Sequence, residues 1–284
     1  MKDTVWTAKG GRVLGPAPFF IAGVVNATPD SFYDGGRFDG DGAAVKHGLE
    51  LAEQGAHILD VGGESTRPYA DPVSADEELR RVVPVIEGLT AELREANDER
   101  TVVSVDTTKA SVARAALQAG ADILNDVSAF SFDPELLDVI SDFKPGYVLM
   151  HSLGRPENMQ DAPRYDDVVD EVMAFFESKL EALSKAGLPV DRVALDPGIG
   201  FGKLLEHNLE LLRNFERFER FGLPLYMGLS NKSLWQGLLG LDVDQRQNAT
   251  QAATAVTAMK GCAVHRVHEV KLARQTLTIV HELS

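Results

Sequence analysis

The side chains best suited to chemistry in this sequence fall in a few short clusters. Arg266 and His268 are two residues apart at the end of an apolar run. On a strand they point the same way, while His265 and Val267 point the other way. A guanidinium and an imidazole on one face would clamp an anion. Three carboxylates, Asp60, Asp106 and Asp196, lie at or near the ends of other apolar runs, and Asn125-Asp126 adds an amide and a further carboxylate. Charged groups behind apolar strands are costly unless paired or hydrogen-bonded. Ionised Asp only accepts hydrogen bonds, whereas Asn both donates and accepts. Such a set suits the edge of a heterocycle that carries N–H donors beside ring acceptors. The competing reading is a structural network, and it is strongest for Asp60.

Other clusters extend the anion chemistry. In GGESTRP, Gly62-Gly63 lets backbone approach a ligand closely, while Thr66 and Arg67, set before Pro68, can donate to phosphate or carboxylate oxygens. Asn26 ends the first apolar run and could offer its carbonyl oxygen to a hard cation such as Mg2+. It could equally close an Asx-turn. Ser230-Asn231-Lys232 follows the seventh run. The stretch DPGIGFGK at 196–203 is not a Walker A loop, because its glycine spacing is wrong and no Ser or Thr follows Lys203. It reads as a flexible loop that approaches a ligand behind a fixed Asp196. His47, His57, His207 and His281 read as ordinary core or surface histidines. The sequence carries no Cys/His zinc pattern, no G-x-S-x-G elbow and no G-x-G-x-x-G after a strand, which argues against those chemistries.

These clusters need a scaffold that gathers them. Short apolar runs at 19–25, 57–62, 101–105, 122–124, 146–150, 192–195, 224–228 and 263–267 each close on a polar cluster. Helical patterns separate them at 43–54, 75–96, 111–119, 134–141, 166–186 and 204–220, with a short and a longer helix in 231–261 and a last one at 269–283. Alternation of this kind predicts an α/β protein, a (β/α)8 TIM barrel, whose active site lies at the C-terminal ends of its strands. Residues 4–14 predict an N-terminal β-hairpin turning at Gly10-Gly11 and covering the barrel floor. Ser74 and Glu77 predict a capping box at the start of the second helix.

The 284 residues are 44% hydrophobic, enough for a core, and a barrel would use 1–284 as a single domain. The lone Cys262 fits a reducing compartment. With no secretory pattern and no apolar stretch near the roughly 18 residues of a membrane span, a cytoplasmic protein is expected, with no membrane partner. The net charge of −15 argues against nucleic acid. An anionic substrate would then depend on local Arg, Lys, metal and helix N-termini.

NATPDSFYDGG, GGESTRP, SVDTTKA, NDVS, LDPGIGFGK, S-x-K and RVH occur in the order found in one known family. From about Phe20 to Val280 the chain resembles dihydropteroate synthases, the sulfonamide-targeted transferases of folate biosynthesis. The resemblance implies a pterin-binding TIM barrel, usually a homodimer. It would condense 6-hydroxymethyl-7,8-dihydropterin pyrophosphate with p-aminobenzoate to give 7,8-dihydropteroate and pyrophosphate. It implies that Asp106, Asn125, Asp196 and Lys232 hold the pterin and that Asn26 binds Mg2+. Thr66, Arg67, Arg266 and His268 would bind the pyrophosphate or help close the site, and Ser230 with 66–68 would flank p-aminobenzoate. Segments 26–36 and 63–68 would act as lids that exclude water. The implied mechanism is dissociative, with Asp106, Lys232, Arg266 and His268 as the catalytic set. Substituting Arg266 or Arg67 is then expected to cost pyrophosphate binding far more than pterin binding.

The sequence departs from the family at three places. Ser-Asn-Lys replaces the usual Ser-Arg-Lys, RVHEV replaces RVHDV, and MHSLGRP lacks the Met-Arg that often follows its His. Two alternatives follow: a methyltetrahydrofolate-dependent methyltransferase with a corrinoid partner, and a weak or silent pterin-binding paralogue. GGESTRP and the Arg266/His268 pair speak against the first, and Asn231 is the main support for the second.

Overall fold

The computed structural model describes residues 1–27, 40–65, 69–155 and 158–284. Eight parallel strands close a barrel: β3 (Phe20–Asn26), β4 (Ile58–Gly62), β5 (Val102–Asp106), β6 (Ile123–Asp126), β7 (Gly146–Met150), β8 (Val193–Asp196), β9 (Leu225–Gly228) and β10 (Cys262–Val267), which pairs back onto β3. The helices between and after them are α1 (Gly40–Gln54), α2 (Ala75–Glu95), α3 (Ala110–Ala119), α4 (Leu136–Phe143), α5 (Val168–Lys185), α6 (Leu205–Arg213), α7 (Leu234–Leu239), α8 (Gln247–Met259) and α9 (Val270–Leu283). The expected (β/α)8 barrel is therefore present, with strand ends within a residue or two of the apolar runs.

Strand alternation divides the barrel into two environments. Leu59, Val61, Val103, Val105, Leu124 and Leu149 face outward and pack with the helices. Phe20, Ile58, Val102, Ile123, Val148 and Tyr226 form an apolar cluster inside the barrel. One step up the same inward faces stand Asp60 on β4 and Asn125 on β6, with Asp106 ending β5 and Asp196 ending β8. The interior is thus apolar below and polar at the mouth, the end where such barrels build their sites.

The floor is closed by the N-terminal hairpin. β1 (Thr4–Thr7) pairs antiparallel with β2 (Val13–Ala17), and Trp6, 0% exposed, joins the interior cluster. Its indole N–H donates to the Arg192 carbonyl at 2.8 Å. This is the hairpin expected over the floor, with a short 3-10 turn at Lys9–Gly11.

Two local expectations need correction. Ser74 accepts from Glu77 N–H at 3.3 Å, but the Glu77 carboxylate pairs with Arg80 and Arg81, so only half of the capping box forms. The helix expected over 204–220 ends as α-helix at Arg213 and continues as a 3-10 segment, Phe215–Phe221. Three residues per turn eclipses positions three apart. That geometry stacks Phe215, Phe218 and Phe221 along one side. Phe176 of α5 meets Phe218 and Phe221 there, each with ring centroids 5.9 Å apart.

Candidate active site

The polar mouth is organised by Arg266. Its Nε donates to Asp60 Oδ2 at 2.6 Å and its NH2 donates to Asp106 Oδ2 at 2.8 Å. Asn125 Nδ2 donates to the same Asp60 oxygen at 3.0 Å. Asp60 is fully buried, and its Oδ1 has no hydrogen-bond partner among the described residues. One carboxylate from β4 therefore joins an amide from β6 and a guanidinium from β10. Asp106 stands at the rim of this network. Burial pushes its carboxyl up to about 7, against the pull of Arg266 and with the support of the Asp60 charge. The same two carboxylates hold Arg266 more firmly in its charged form, despite burial.

Asp196 and Lys232 stand on the neighbouring side. Asp196 Oδ1 accepts from Gly198 N–H at 2.7 Å, and burial raises its carboxyl while that bond and Lys232 oppose the rise. Lys232 Nζ donates to the Ile199 carbonyl at 2.6 Å and lies 4.3 Å from the centre of the Phe201 ring. Burial pushes Lys232 down to about 8, opposed chiefly by Asp196. The 196–203 segment is not the flexible loop its glycines suggest. Its Gly198, Ile199, Gly200, Phe201 and Gly202 carbonyls each accept a side-chain donor, from Lys203, Lys232, Gln160, Lys203 and Tyr165 in turn. Gly198 has φ +67°, and a Cβ there would lie 1.9 Å from the His151 carbonyl oxygen. The glycines serve close packing against β7 as well as any ligand.

At the remaining edge, Ser230 Oγ lies 2.9 Å from His268 Nδ1 and accepts from His268 N–H at 3.3 Å. Arg266 and His268, expected on one face as a joint anion clamp, take different partners: Arg266 the two carboxylates, His268 the Ser230 hydroxyl. Asn231 adopts a left-handed backbone, φ 57°, a conformation Asn tolerates better than most residues. Its carbonyl accepts from Arg246 NH1 at 2.9 Å, and its Oδ1 is buried without a partner among the described residues. Asn26 ends β3 with its side chain exposed. Thr66, Arg67 and Pro68, and the 26–36 segment beyond Ala27, lie outside the described residues.

Several supporting residues complete the site, and the structural network expected for Asp60 is among them. Asp60 proved to be the hub of the polar network, and strand alternation already put it on the face shared by Ile58 and Gly62. Lys109 bonds Glu64 and the fully buried Glu78, while Glu64 Oε1 accepts from Val73 N–H at 2.6 Å, so the chain is tied at both 64 and 73. A lysine beside DTT gave no sequence signal of that role. Arg246 and Lys203 were likewise unmarked. Asp126 faces away from the mouth and closes a turn, accepting from Ser128, Phe130 N–H and the Tyr147 hydroxyl. Of the Asn125-Asp126 pair, only Asn125 therefore faces the mouth.

Residues 22–268 match the family described as pterin binding enzyme. The dihydropteroate synthase of Synechocystis sp. is 40% identical over 265 residues, covering 93% of this chain and 90% of the relative. The chain belongs to the dihydropteroate synthase family. A solved structure of the Yersinia pestis dihydropteroate synthase with a sulfonamide drug superposes with a TM-score of 0.89 at 38% identity, covering 99% of both chains. The Xanthomonas albilineans dihydropteroate synthase with 4-aminobenzoic acid superposes with a TM-score of 0.89 at 42% identity, covering 98% of both chains. A dihydropteroate synthase family member with this mouth has hydrogen-bond acceptors and cations for a polar heterocycle. Among the described residues no cluster of three His, Cys, Asp or Glu could hold a metal by itself, and no helix is long and apolar enough to cross a membrane.

Proposed function

We infer that this chain is a transferase that condenses 6-hydroxymethyl-7,8-dihydropterin pyrophosphate with p-aminobenzoate, giving 7,8-dihydropteroate and pyrophosphate. The observation that carries the reading is the convergence of Asp106, Asn125, Asp196 and Lys232 at the barrel mouth, in a chain about 40% identical to dihydropteroate synthases along most of its length.

In this reading Asp196, Asn125 and Lys232 hold the pterin ring. The bond between the pterin methylene carbon and its pyrophosphate oxygen breaks first. The electron pair leaves with the pyrophosphate, and a delocalised pterin cation remains. Asp106 in its ionised form stabilises that positive charge. The amine of p-aminobenzoate then attacks the methylene carbon, and the proton it sheds passes to the released pyrophosphate. No strong nucleophile is needed, so catalysis is positional and electrostatic. Arg67, Thr66 and His268 are assigned to the leaving group, and Ser230 with 66–68 to p-aminobenzoate. Arg266 has a second duty, since its guanidinium also holds Asp60 and Asp106 in place.

Asn26 is a fitting ligand for Mg2+. Such an ion usually keeps several waters and takes only one or two protein oxygens beside substrate phosphates, and Asn26 presents one exposed amide at the end of β3. Bound there with pyrophosphate, Mg2+ would neutralise negative charge on the leaving group. We read the working unit as a cytoplasmic homodimer.

The test is product formation from the two substrates with Mg2+, together with inhibition by a sulfonamide. Folded protein that binds the dihydropterin pyrophosphate yet releases no dihydropteroate would overturn the reading.

A further inference from the structure

The histidine that follows β7 and the lysine that ends the 196–203 segment have no place in the chemistry above, yet both are buried beside it. His151 is 6% exposed and Lys203 is 2% exposed. Lys203 Nζ lies 2.8 Å from His151 Nδ1, 3.0 Å from the Gly198 carbonyl oxygen, 3.0 Å from that of Phe201 and 3.3 Å from that of His151. An ammonium has three donors and no acceptor, so a nest of acceptors suits it, and that nest with the Asp196 charge holds the proton against burial, which pushes Lys203 down to about 7. Burial and the neighbouring Lys203 charge both hold the His151 imidazole neutral, which leaves Nδ1 able to accept. The ring itself is fixed edge-on against Phe175, with centroids 4.8 Å apart.

The bonds from this one side chain lead to both pterin-facing groups. Gly198, held through its carbonyl, donates its N–H to Asp196 Oδ1. Phe201, held through its carbonyl, presents the ring against which Lys232 rests. Ile199, between them, supplies the carbonyl that Lys232 grips. His151 N–H also donates to the Asp196 carbonyl at 3.0 Å. From the other side Tyr165 holds the Gly202 carbonyl at 2.8 Å.

We propose that Lys203, seated on His151, is a positioning residue for the pterin end of the site: it fixes the 196–203 backbone that aims Asp196 and Lys232, with Tyr165 holding the same segment from outside. Lys203 is too buried to meet a ligand, so its effect passes through those two residues. This gives the MHS cluster after β7 a function in substrate recognition. The inference rests on the synthase reading for the identity of the pterin.

Lys203→Met removes the ammonium and keeps the length of the chain. Calorimetry with 6-hydroxymethyl-7,8-dihydropterin should show at least a tenfold rise in Kd. Inorganic pyrophosphate with Mg2+ should bind within twofold of wild type. A purely structural lysine would weaken both ligands alike, and that result, or an unchanged pterin Kd, overturns the proposal. If Lys203→Met does not fold, Tyr165→Phe decides. It removes only the hydroxyl, and it should weaken dihydropterin two- to fivefold while pyrophosphate binding stays unchanged; equal affinities for dihydropterin would refute the proposal. Turnover by the wild-type protein is measured alongside. Wild type that turns over while the variant keeps its pterin affinity defeats this inference alone, and wild type that binds no dihydropterin defeats both readings.

Discussion

Arg266 Nε lies 2.6 Å from Asp60 Oδ2, so the guanidinium first expected to wait for an anion is already paired with a buried carboxylate. Its second bond, to Asp106, ties it to the residue assigned to the developing cation. Arg266→Ala would leave Asp60 and Asp106 uncompensated, and breaking such a buried pair typically costs about 3–5 kcal/mol. The expectation of a selective pyrophosphate defect is therefore kept for Arg67 and revised for Arg266. Calorimetry on Arg266→Ala should show dihydropterin and pyrophosphate both weakened, with a lower urea midpoint. Arg67→Ala should lose pyrophosphate affinity alone. A pterin affinity that survives in Arg266→Ala would contradict the shared-network account.

Asp60 gives a sharper test, because it is fully buried behind Arg266 and Asn125, which it holds through one carboxylate oxygen. Asp60→Asn keeps its shape and removes its charge. Hydrogen bonds to charged groups contribute about 1.5–3 kcal/mol, so kcat/KM should fall roughly ten- to hundredfold, mainly through the pterin KM. Steady-state kinetics that match wild type would make Asp60 a passive filler.

The pH dependence follows from Asp106, pushed up by burial, and from Lys232 and Lys203, both pushed down, Lys203 to about 7. Asp106, raised to about 7 by burial, becomes neutral below that pH and loses the charge assigned above to stabilising the cation. Lys232, lowered to about 8 by burial, loses its charge above that pH. The kcat/KM profile should be bell-shaped, falling below about 7 and above about 8. Lys232→Met should lose the basic limb along with most activity. A wild-type profile that is flat from about 6 to about 9 would sink both assignments.

Asn231 carries the departure from the family Ser-Arg-Lys pattern. Its φ of 57° suits Asn, and a side chain like Arg there costs about 1–2 kcal/mol. Asn231→Arg should thus lower thermal stability while reducing the KM for p-aminobenzoate several-fold. If that KM is unchanged, a cation at 231 has no part in carboxylate binding.

The barrel was legible because alternation of apolar runs with helical patterns leaves few topologies, and because polar clusters closed every run. Asp106, Asn125, Asp196 and Arg266 were legible for the same reason, since strand ends and a period of two fix their side. The partners were not. Asp60 could be placed on an inward face, but only closure of the barrel brings it to Arg266, 206 positions away. Lys203 follows a glycine-rich stretch that reads as mobile, and nothing local announces that five successive carbonyls there are bonded by side chains. The 3-10 segment after α6 was hidden because a helical period also accommodates its apolar residues. The contacts with Phe176 that favour the tighter turn come from another helix.

The most direct measurement is a turnover assay on the purified protein with 6-hydroxymethyl-7,8-dihydropterin pyrophosphate, p-aminobenzoate and Mg2+, following dihydropteroate and pyrophosphate together. Equal amounts of the two products, abolished by omitting p-aminobenzoate and suppressed by a sulfonamide, are expected. Tight binding of the pterin pyrophosphate with no dihydropteroate formed would contradict the account.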